Sequence, residues 1–273
     1  MGFFCGRGES IPFFKRIFAA LLLFVVVVII CYVSIRLTPL HVYDGFESPG
    51  LSWIRWSKFR FEPGAVAVEN SVVKSGRQAL AITVHSGDRY EAGSDTGAAT
   101  ERAELMESWW LYSRMGREYA YSFSLYIPKE IPQSAERLVI AQWRQLCEAR
   151  RCRPDYPILA VRYEEGKIRI TRRDESGSHV LYQGTELASQ RWLNFRFVAR
   201  FEPTNDGLVE ATLEGQPIVD YHGPTTYQPA HGYPAHGLVY FKTGLYRDAR
   251  GEGPWTLYVD EYRKDQCPAG GCH

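Results

Sequence analysis

Several segments of this chain alternate apolar and polar residues. The segment 119–127 places aromatic and aliphatic side chains at every second position and ends at Pro128. The segment 193–201 repeats this arrangement, and segments 167–172 and 255–260 alternate in the same way. Successive side chains of a β-strand point to opposite faces of its sheet. Each segment therefore predicts a strand with one apolar face.

Turn-forming residues separate these segments, which is typical of a β-sandwich or a β-barrel. Outside the N-terminal region, no long segment repeats apolar residues at the spacing of an α-helix. With 273 residues, of which 45% are hydrophobic, the chain can bury a large core. We therefore predict one all-β sandwich domain over residues 44–265. We interpret residues 36–43 as a connector and residues 266–273 as a tail that carries a cysteine pair.

An apolar run extends from Ile17 to Ile35. Its length matches the roughly 20 residues that a helix needs to cross a bilayer core. Arg7, Lys15 and Arg16 precede it, which favours a cytoplasmic segment 1–16 and an exported domain. The run is longer than the apolar core of a signal peptide, and no clear cleavage site follows it. We predict an uncleaved transmembrane anchor on a bacterial inner membrane, with the domain on the periplasmic face; the alternative is cleavage and secretion.

Four of the six cysteines form two close pairs, Cys147 with Cys152 and Cys267 with Cys272. In an oxidising compartment each pair can close a small loop, which agrees with export. Zinc binding would require the pairs to converge on one ion, and cross-pairing between them also stays open. We expect two local disulfide bonds.

The charges of the chain nearly balance. Lysine and arginine total 32, and aspartate and glutamate total 31. This balance gives no indication of nucleic-acid binding. We expect a monomer whose partners are a substrate and the membrane.

Three predicted strands carry long polar side chains on one face. Arg102 and Glu104 share a face in the first strand, and Gln142 and Arg144 share a face in the second. In the third strand, Tyr240, Lys242 and Tyr246 lie opposite Phe241 and Leu245, provided that Gly244 does not shift the register. These faces are either the solvent side of an antiparallel sheet or the floor of a site.

Together the three strands supply the groups that β-elimination on a uronic acid requires. The reaction needs a donor that neutralises the C6 carboxylate, a base for the C5 proton and an acid for the leaving oxygen O4. Arginine and glutamine can donate to the carboxylate. Tyrosine, histidine or lysine can serve as base and acid.

The order and spacing of these motifs resemble the polysaccharide lyases of the heparin lyase I and glucuronan lyase type. The motifs are Glu101–Leu105, Ile140–Trp143 and Tyr240–Arg247, and the segments Asp44–Glu47 and Ser75–Leu80 resemble the N-terminal part of the same group. Alginate lyases carry similar motifs. The resemblance implies a concanavalin-like β-jelly-roll and a substrate that is an acidic polysaccharide containing uronic acids.

The resemblance also implies a role for each matching residue. Arg102 would contact a substrate carboxylate or sulfate, and Glu104 would hold that arginine by a salt bridge. Gln142 would help to neutralise the carboxylate at the cleavage subsite. Tyr246 would deliver a proton to the leaving oxygen, and Lys242 would position Tyr246 or favour its ionised form.

The position two residues after Gln142 departs from the family pattern. Related enzymes have histidine there, whereas this chain has Arg144, and a guanidinium group is a poor general base because it stays protonated. Either Tyr246 acts alone as base and acid, another histidine enters the site, or the protein binds without catalysis. His85 is the strongest candidate for a substitute base.

Further residues are expected to contact the substrate or a metal ion. The substrate contacts would add Arg144, Tyr240, Arg247 and His85 to the set. Carboxylates near the two ends of the domain could share a structural Ca²⁺, or they could simply be solvated and cap the chain. These are Asp44, Glu47 and Asp260. The chemistry itself requires no cofactor.

The leading prediction is therefore a polysaccharide lyase that acts by β-elimination. The alternative is a non-catalytic module that binds acidic glycans on the cell envelope. A retaining glycoside hydrolase on a similar sandwich would need two carboxylates roughly 5–5.5 Å apart. These typically come from a Glu-x-Asp-x-x-Glu strand, which the sequence does not contain.

Overall fold

A computed structural model describes residues 17–27, 40–57, 61–88, 100–134, 138–147, 152–153, 155–248 and 253–272. The chain divides into two units, Met1–Pro39 and Leu40–His273. In the first unit, residues 17–27 are α-helical and their large apolar side chains are exposed. Within the described residues, no helix combines the length and the apolar character needed to span a membrane. The rest of the predicted anchor, residues 28–35, lies outside the described residues.

The second unit is a sandwich of two antiparallel sheets, which confirms the all-β prediction. Its described strands are β1 His41–Asp44, β2 Trp56–Ser57, β3 Val66–Glu69, β4 Ala79–Val84, β5 Thr100–Glu107, β6 Ser113–Arg114, β7 Glu118–Tyr126, β8 Leu138–Gln145, β9 Leu159–Glu164, β10 Lys167–Asp174, β11 Gly177–Gln183, β12 Trp192–Arg200, β13 Leu208–Leu213, β14 Gln216–His222, β15 Leu238–Asp248 and β16 Trp255–Gln266. Two short 3-10 helices, Trp109–Leu111 and Pro229–His231, lie in the connections.

The two sheets have different strand orders. The first sheet runs β14-β13-β12-β7-β16-β4-β3, with β1 also paired to β16. The second sheet runs β11-β10-β9-β8-β15-β5-β2, with β6 also paired to β15. Because β1 pairs with β16, the domain begins at Leu40 and includes part of the segment that we interpreted as a connector.

The core lies between the two sheets and is rich in aromatic rings. The predicted segments 119–127 and 193–201 correspond to β7 and β12, displaced by one residue, and they pair with each other. From the second sheet, Trp143 packs against Phe197 with ring centroids 4.7 Å apart and against Phe241 at 5.0 Å. Offset and tilted contacts of this kind add stabilisation beyond the burial of area.

A buried charge network connects the sheets. Glu107 of β5 is fully buried and accepts hydrogen bonds from the hydroxyl of Tyr262 (2.6 Å), the ammonium of Lys264 (2.9 Å) and the backbone N–H of Phe241 (3.1 Å). Lys264 also donates to the carbonyl oxygen of Leu111 (2.5 Å). Because Tyr262 and Lys264 belong to β16, the network fixes the second sheet against the first.

The cysteine pairs form two local disulfide bonds, Cys147–Cys152 and Cys267–Cys272. The prediction of local pairing is confirmed, so these four cysteines neither cross-pair nor offer free thiolates to zinc. The first bond lies in the connection between β8 and β9, and Cys152 is buried in the core. The second bond packs on residues of β7 and β12 behind the first sheet.

Candidate active site

Strand β15 presents Tyr240, Lys242 and Tyr246 on the outer face of the second sheet. Phe241 and Leu245 are fully buried in the core, whereas Lys242 and Tyr246 contact residues on the opposite face. Gly244 carries the strand through an irregularity with φ of +141°, and a Cβ there would lie 2.2 Å from the carbonyl oxygen of Ala103. Only glycine suits this close approach. The face alternation read from the sequence is therefore confirmed.

Glu104 lies at the centre of a cluster that spans three adjacent strands. Its Oε2 accepts a hydrogen bond from the ammonium of Lys242 (2.8 Å), and its Oε1 accepts one from the amide of Gln142. All three side chains are almost fully buried. Glu104 lies opposite Gly244, which has no side chain, so its carboxylate has room to reach both partners. The cluster positions the polar groups of β5, β8 and β15 relative to one another.

Burial and charge act in opposite directions on this cluster. Burial raises the pKa of Glu104, but the nearby Lys242 and Arg102 outweigh it and hold that pKa below its ordinary value. Burial lowers the pKa of Lys242 to about 8, helped by the positive charge of Arg144 and opposed by Glu104. At neutral pH the pair is therefore an ammonium facing a carboxylate.

Arg102 and Tyr246 form a second contact on the same face. The two residues are direct partners across β5 and β15, and the guanidinium carbon of Arg102 lies 4.5 Å from the centroid of the Tyr246 ring. This geometry is a cation–π interaction. The carboxylate of Glu104 accepts hydrogen bonds from Lys242 and Gln142, and the nearby charge of Arg102 lowers its pKa.

Arg144 lies on this face directly opposite Tyr240. Its guanidinium group bonds the backbone oxygen of Asp155 (3.1 Å) and forms an ion pair with the carboxylate of the same residue. Burial acts to lower the pKa of Arg144, but Tyr240 and Asp155 outweigh it and raise that pKa further. The ring of Tyr240 also stacks on Tyr112, with centroids 5.1 Å apart. Arg144 thus supplies a fixed cation where the family pattern has a base.

Arg247 and His85 were also expected to contact the substrate. Arg247 is on the interior face of β15, where it bonds Glu101 (2.9 Å) and covers the ring of Trp255 at 4.3 Å. It is 1% exposed and is therefore shielded from a substrate on the outer face. His85 lies in an exposed turn after β4, and its ring bonds Asp88. The backbone oxygen of Asp88 accepts a hydrogen bond from the N–H of Arg102 (2.9 Å), so this turn adjoins β5 beside the site, and the role of His85 as a substitute base stays a prediction.

The carboxylates suggested for calcium accept hydrogen bonds from other groups of the protein. Asp44 accepts a hydrogen bond from the indole of Trp56 (2.7 Å), and Glu47 and Asp260 accept backbone N–H groups from the loop 74–78. Within the described residues, these three carboxylates do not form a set whose oxygen atoms lie close enough to share an ion. In the structure these carboxylates bond Trp56 and the loop 74–78, and the shared calcium site stays a prediction.

The structure adds cations that the sequence reasoning missed. Leu159 and Val161 of β9 and Ile168 and Ile170 of β10 face the core. The residues that alternate with them lie on the same outer face as Gln142. These residues include Arg162, Arg169 and Arg173. The alternation of apolar and basic residues in segment 167–172 was the available signal, but nothing in it indicated that β9 and β10 adjoin β8.

Most of the predicted site residues thus lie on one face. The residues that share the outer face of the second sheet are Arg102, Glu104, Gln142, Arg144, Tyr240, Lys242 and Tyr246. They belong to the neighbouring strands β5, β15 and β8, and β9 and β10 extend the face with further arginines. A face of this kind can bind an elongated anion and place a phenol against it.

Comparisons with known proteins agree with this architecture. A family model described as polysaccharide lyase matches residues 48–263. The endo-β-1,4-glucuronan lyase of the fungus Trichoderma reesei superposes with a TM-score of 0.62 at 14% identity, over 84% of this chain and 95% of that chain. An alginate lyase of polysaccharide lyase family 7 gives 0.52 at 14% identity, over 76% and 84% of the two chains.

A cellulose-induced protein gives a TM-score of 0.54 at 13% identity, over 85% of this chain and all of that chain. At these identities the likeness shows the fold, which is a jelly-roll-like sandwich of two antiparallel sheets. No protein among the curated sequences matches the chain.

Proposed function

The chain belongs to the polysaccharide lyase family, and we propose that its substrate is an acidic polysaccharide containing uronic acids, cleaved by β-elimination. One observation carries this proposal. The phenol of Tyr246 lies against Arg102, beside the buried cluster of Glu104, Lys242 and Gln142, on one face of a sheet. An acid–base group and carboxylate-binding donors are therefore side by side.

The first step is binding of the uronate carboxylate. Arg102 and Arg144 are guanidinium groups of this face, and the amide of Gln142 has a second N–H beyond the one that Glu104 accepts. Donors of this kind stabilise the negative charge that develops on the C6 carboxylate as the C5 proton leaves. Lys242 keeps Glu104 neutralised, so that the buried carboxylate does not repel the substrate.

The second step is proton transfer by Tyr246. In its ionised form the phenol takes the proton from C5, and the electrons of the C5–H bond form the double bond between C4 and C5. The C4–O4 bond breaks, and the phenol returns its proton to the leaving oxygen. No atom is gained or lost, and the phenolate is regenerated. Arg102, stacked over the ring, holds the phenol in place for both transfers.

A second candidate function is glycan binding without cleavage, and one observation favours it. Arg144 stands where a base is expected and is tied to Asp155, so it cannot accept a proton from the substrate. Under this alternative, the same donors bind the acidic polymer and Tyr246 only packs against a sugar ring.

Ultraviolet absorbance of the unsaturated product distinguishes the two candidates. The purified protein is incubated with glucuronan, alginate, heparin and a neutral glucan as control, and binding is measured in parallel. We expect absorbance on at least one uronate and none on the glucan. In the matched variants, Tyr246→Phe abolishes cleavage and Tyr258→Phe, on the first sheet, retains it. Binding without absorbance on every uronate would establish the glycan-binding alternative, and loss of both would refute the proposed substrate class.

We further propose that the protein is a monomer anchored in the bacterial inner membrane through residues 17–35, with its domain in the periplasm. The exposed apolar side chains of residues 17–27 and the two disulfide bonds support this location. Retention in the membrane fraction after alkaline extraction tests the anchor, and release of a processed form would show secretion instead. Because the proposed steps use side chains alone, activity should survive treatment with a chelator.

A further inference from the structure

Five residues on five neighbouring strands form a straight row across the second sheet. The registers pair Arg102 with Tyr246, Tyr246 with Val139, Val139 with Arg162, and Arg162 with Arg169. Each step leads to the neighbouring strand, about 4.8 Å away. This spacing is close to the length of one sugar residue. The row therefore follows the direction in which an extended polysaccharide would cross the sheet from Tyr246.

Arg162 and Arg169 are like charges placed directly opposite each other. Both are half-buried, and like charges at facing positions of antiparallel strands destabilise the pairing. Arg169 bonds Glu164 (2.7 Å), and Arg162 donates to the hydroxyl of Thr171 (3.2 Å). An anion bound between the two guanidinium groups would offset the repulsion between them.

The guanidinium of Arg169 also has unused donor capacity. Within the described part of the chain, its Nε is buried and has no hydrogen-bond partner. A buried donor without an acceptor is costly, and a carboxylate or sulfate oxygen at this place would satisfy it. Arg173, four residues farther along β10 and on the same face, stacks on Tyr156 at 4.0 Å and extends the cationic surface.

We propose that Arg162 and Arg169 form a distal subsite for an acidic group of the substrate, two to three sugar residues from the bond that is cleaved. This inference rests on the proposed function and sharpens it. The substrate would carry acidic groups on successive residues rather than on isolated ones. Oligomers too short to reach from Tyr246 to Arg162 would bind without this contribution.

The test measures the binding of oligouronates of two to six sugars to the full chain that carries Tyr246→Phe, so that cleavage does not interfere. Arg162→Gln and Arg169→Gln should each weaken binding of the hexamer roughly three- to tenfold, as expected for loss of one charge-assisted contact. Binding of the dimer should not change. Arg162→Lys should restore part of the affinity, and Arg196→Gln, on the first sheet, should leave both oligomers unaffected.

Steady-state kinetics on the otherwise unmodified protein provide a second readout. The two glutamine variants should raise KM for the long polymer, leave kcat unchanged and weaken the dependence of KM on salt. Thermal unfolding controls for folding, and the midpoint should fall by no more than a few degrees. Comparison of alginate and glucuronan with heparin shows whether the subsite takes a carboxylate or a sulfate.

The outcomes separate this inference from the proposed function. A hexamer affinity that does not change in either variant would overturn the distal subsite while leaving the lyase reaction intact. Equal weakening for dimer and hexamer, or a large loss of thermal stability without a change in KM, would also overturn it. If the protein neither binds nor cleaves any uronate, the proposed substrate class fails and the subsite fails with it.

Discussion

Replacing Glu104 with glutamine should destabilise the protein, and the loss should be larger near about pH 6 than near about pH 9. Glutamine has nearly the same shape as glutamate, so the packing is preserved and the change is mainly one of charge. The ammonium of Lys242 then remains 2% exposed without its counter-ion, which lies at 2.8 Å in the native protein. A buried charge that loses its partner is a large source of instability.

The magnitude follows from the titration of Lys242. Burial already lowers its pKa from 10.5 to about 8 although Glu104 opposes the change, a difference that corresponds to roughly 3 kcal/mol. Without Glu104 the pKa falls further, and each additional unit costs roughly 1.4 kcal/mol at a pH below it. The lost hydrogen bonds add about 1 kcal/mol. We therefore expect a total loss of about 1–3 kcal/mol near about pH 6.

The sign of the pH dependence is fixed by proton binding. Between the folded pKa of about 8 and the ordinary value of 10.5, the unfolded chain holds more protons on Lys242 than the folded chain, so stability rises with pH there. In the variant the folded pKa is lower, and the rise begins at lower pH. The variant is therefore most deficient below about pH 8 and approaches the wild type above it.

Urea unfolding at several pH values measures this difference. Glu101→Gln is the matched control, because it removes a buried carboxylate from the same strand whose partner is Arg247. A guanidinium group does not deprotonate in this range, so the loss in the control should be independent of pH between about 6 and 9. Equal losses for Glu104→Gln at all pH values, or a larger loss at high pH, would refute the account of Lys242.

Three other substitutions test the site and the fold. Tyr246→Phe should reduce turnover by about 10²–10⁴-fold with little change in the thermal midpoint, measured as product absorbance and thermal unfolding; wild-type turnover would contradict its acid–base role. Gly244→Ala should lower the free energy of unfolding by about 2 kcal/mol or more, because the added Cβ would lie 2.2 Å from the carbonyl oxygen of Ala103. An unchanged urea midpoint would contradict this. Glu107→Ala should lower the free energy of unfolding, measured in urea, by about 3–5 kcal/mol, because the buried ammonium of Lys264 loses its counter-ion. A loss below about 1 kcal/mol would show that the network contributes little.

The strands and their faces could be predicted from the sequence because side-chain alternation is a local property. Segments 119–127 and 193–201 correspond to β7 and β12, and the face alternation of β15 is as expected. Arg247 was expected to contact the substrate, but it lies on the interior face. The same alternation assigns it to the interior face with Phe241, yet the basic side chain suggested a substrate contact. Its partner Glu101 belongs to a distant segment, so the pattern could not reveal the pairing.

The contacts within the site depend on register, which local sequence does not specify. Arg102 and Glu104 were expected to pair with each other. The register of β5 with β15 places Tyr246 opposite Arg102 and Gly244 opposite Glu104. The expected calcium ligands provide a second case. Asp260 accepts backbone N–H groups from residues nearly 190 positions earlier in the chain, at distances of 3.0 and 3.1 Å.

Period-two patterning and motifs within single strands were enough to predict an all-β sandwich of the polysaccharide lyase type with a polar, titratable face. Which charges pair could not be predicted in this way. In the fold, Lys242 pairs with Glu104 and Arg144 pairs with Asp155, and Arg162 lies beside Arg169 in line with Tyr246. Cross-strand neighbours are set by the order and register of the strands, and these are fixed by packing of the whole core.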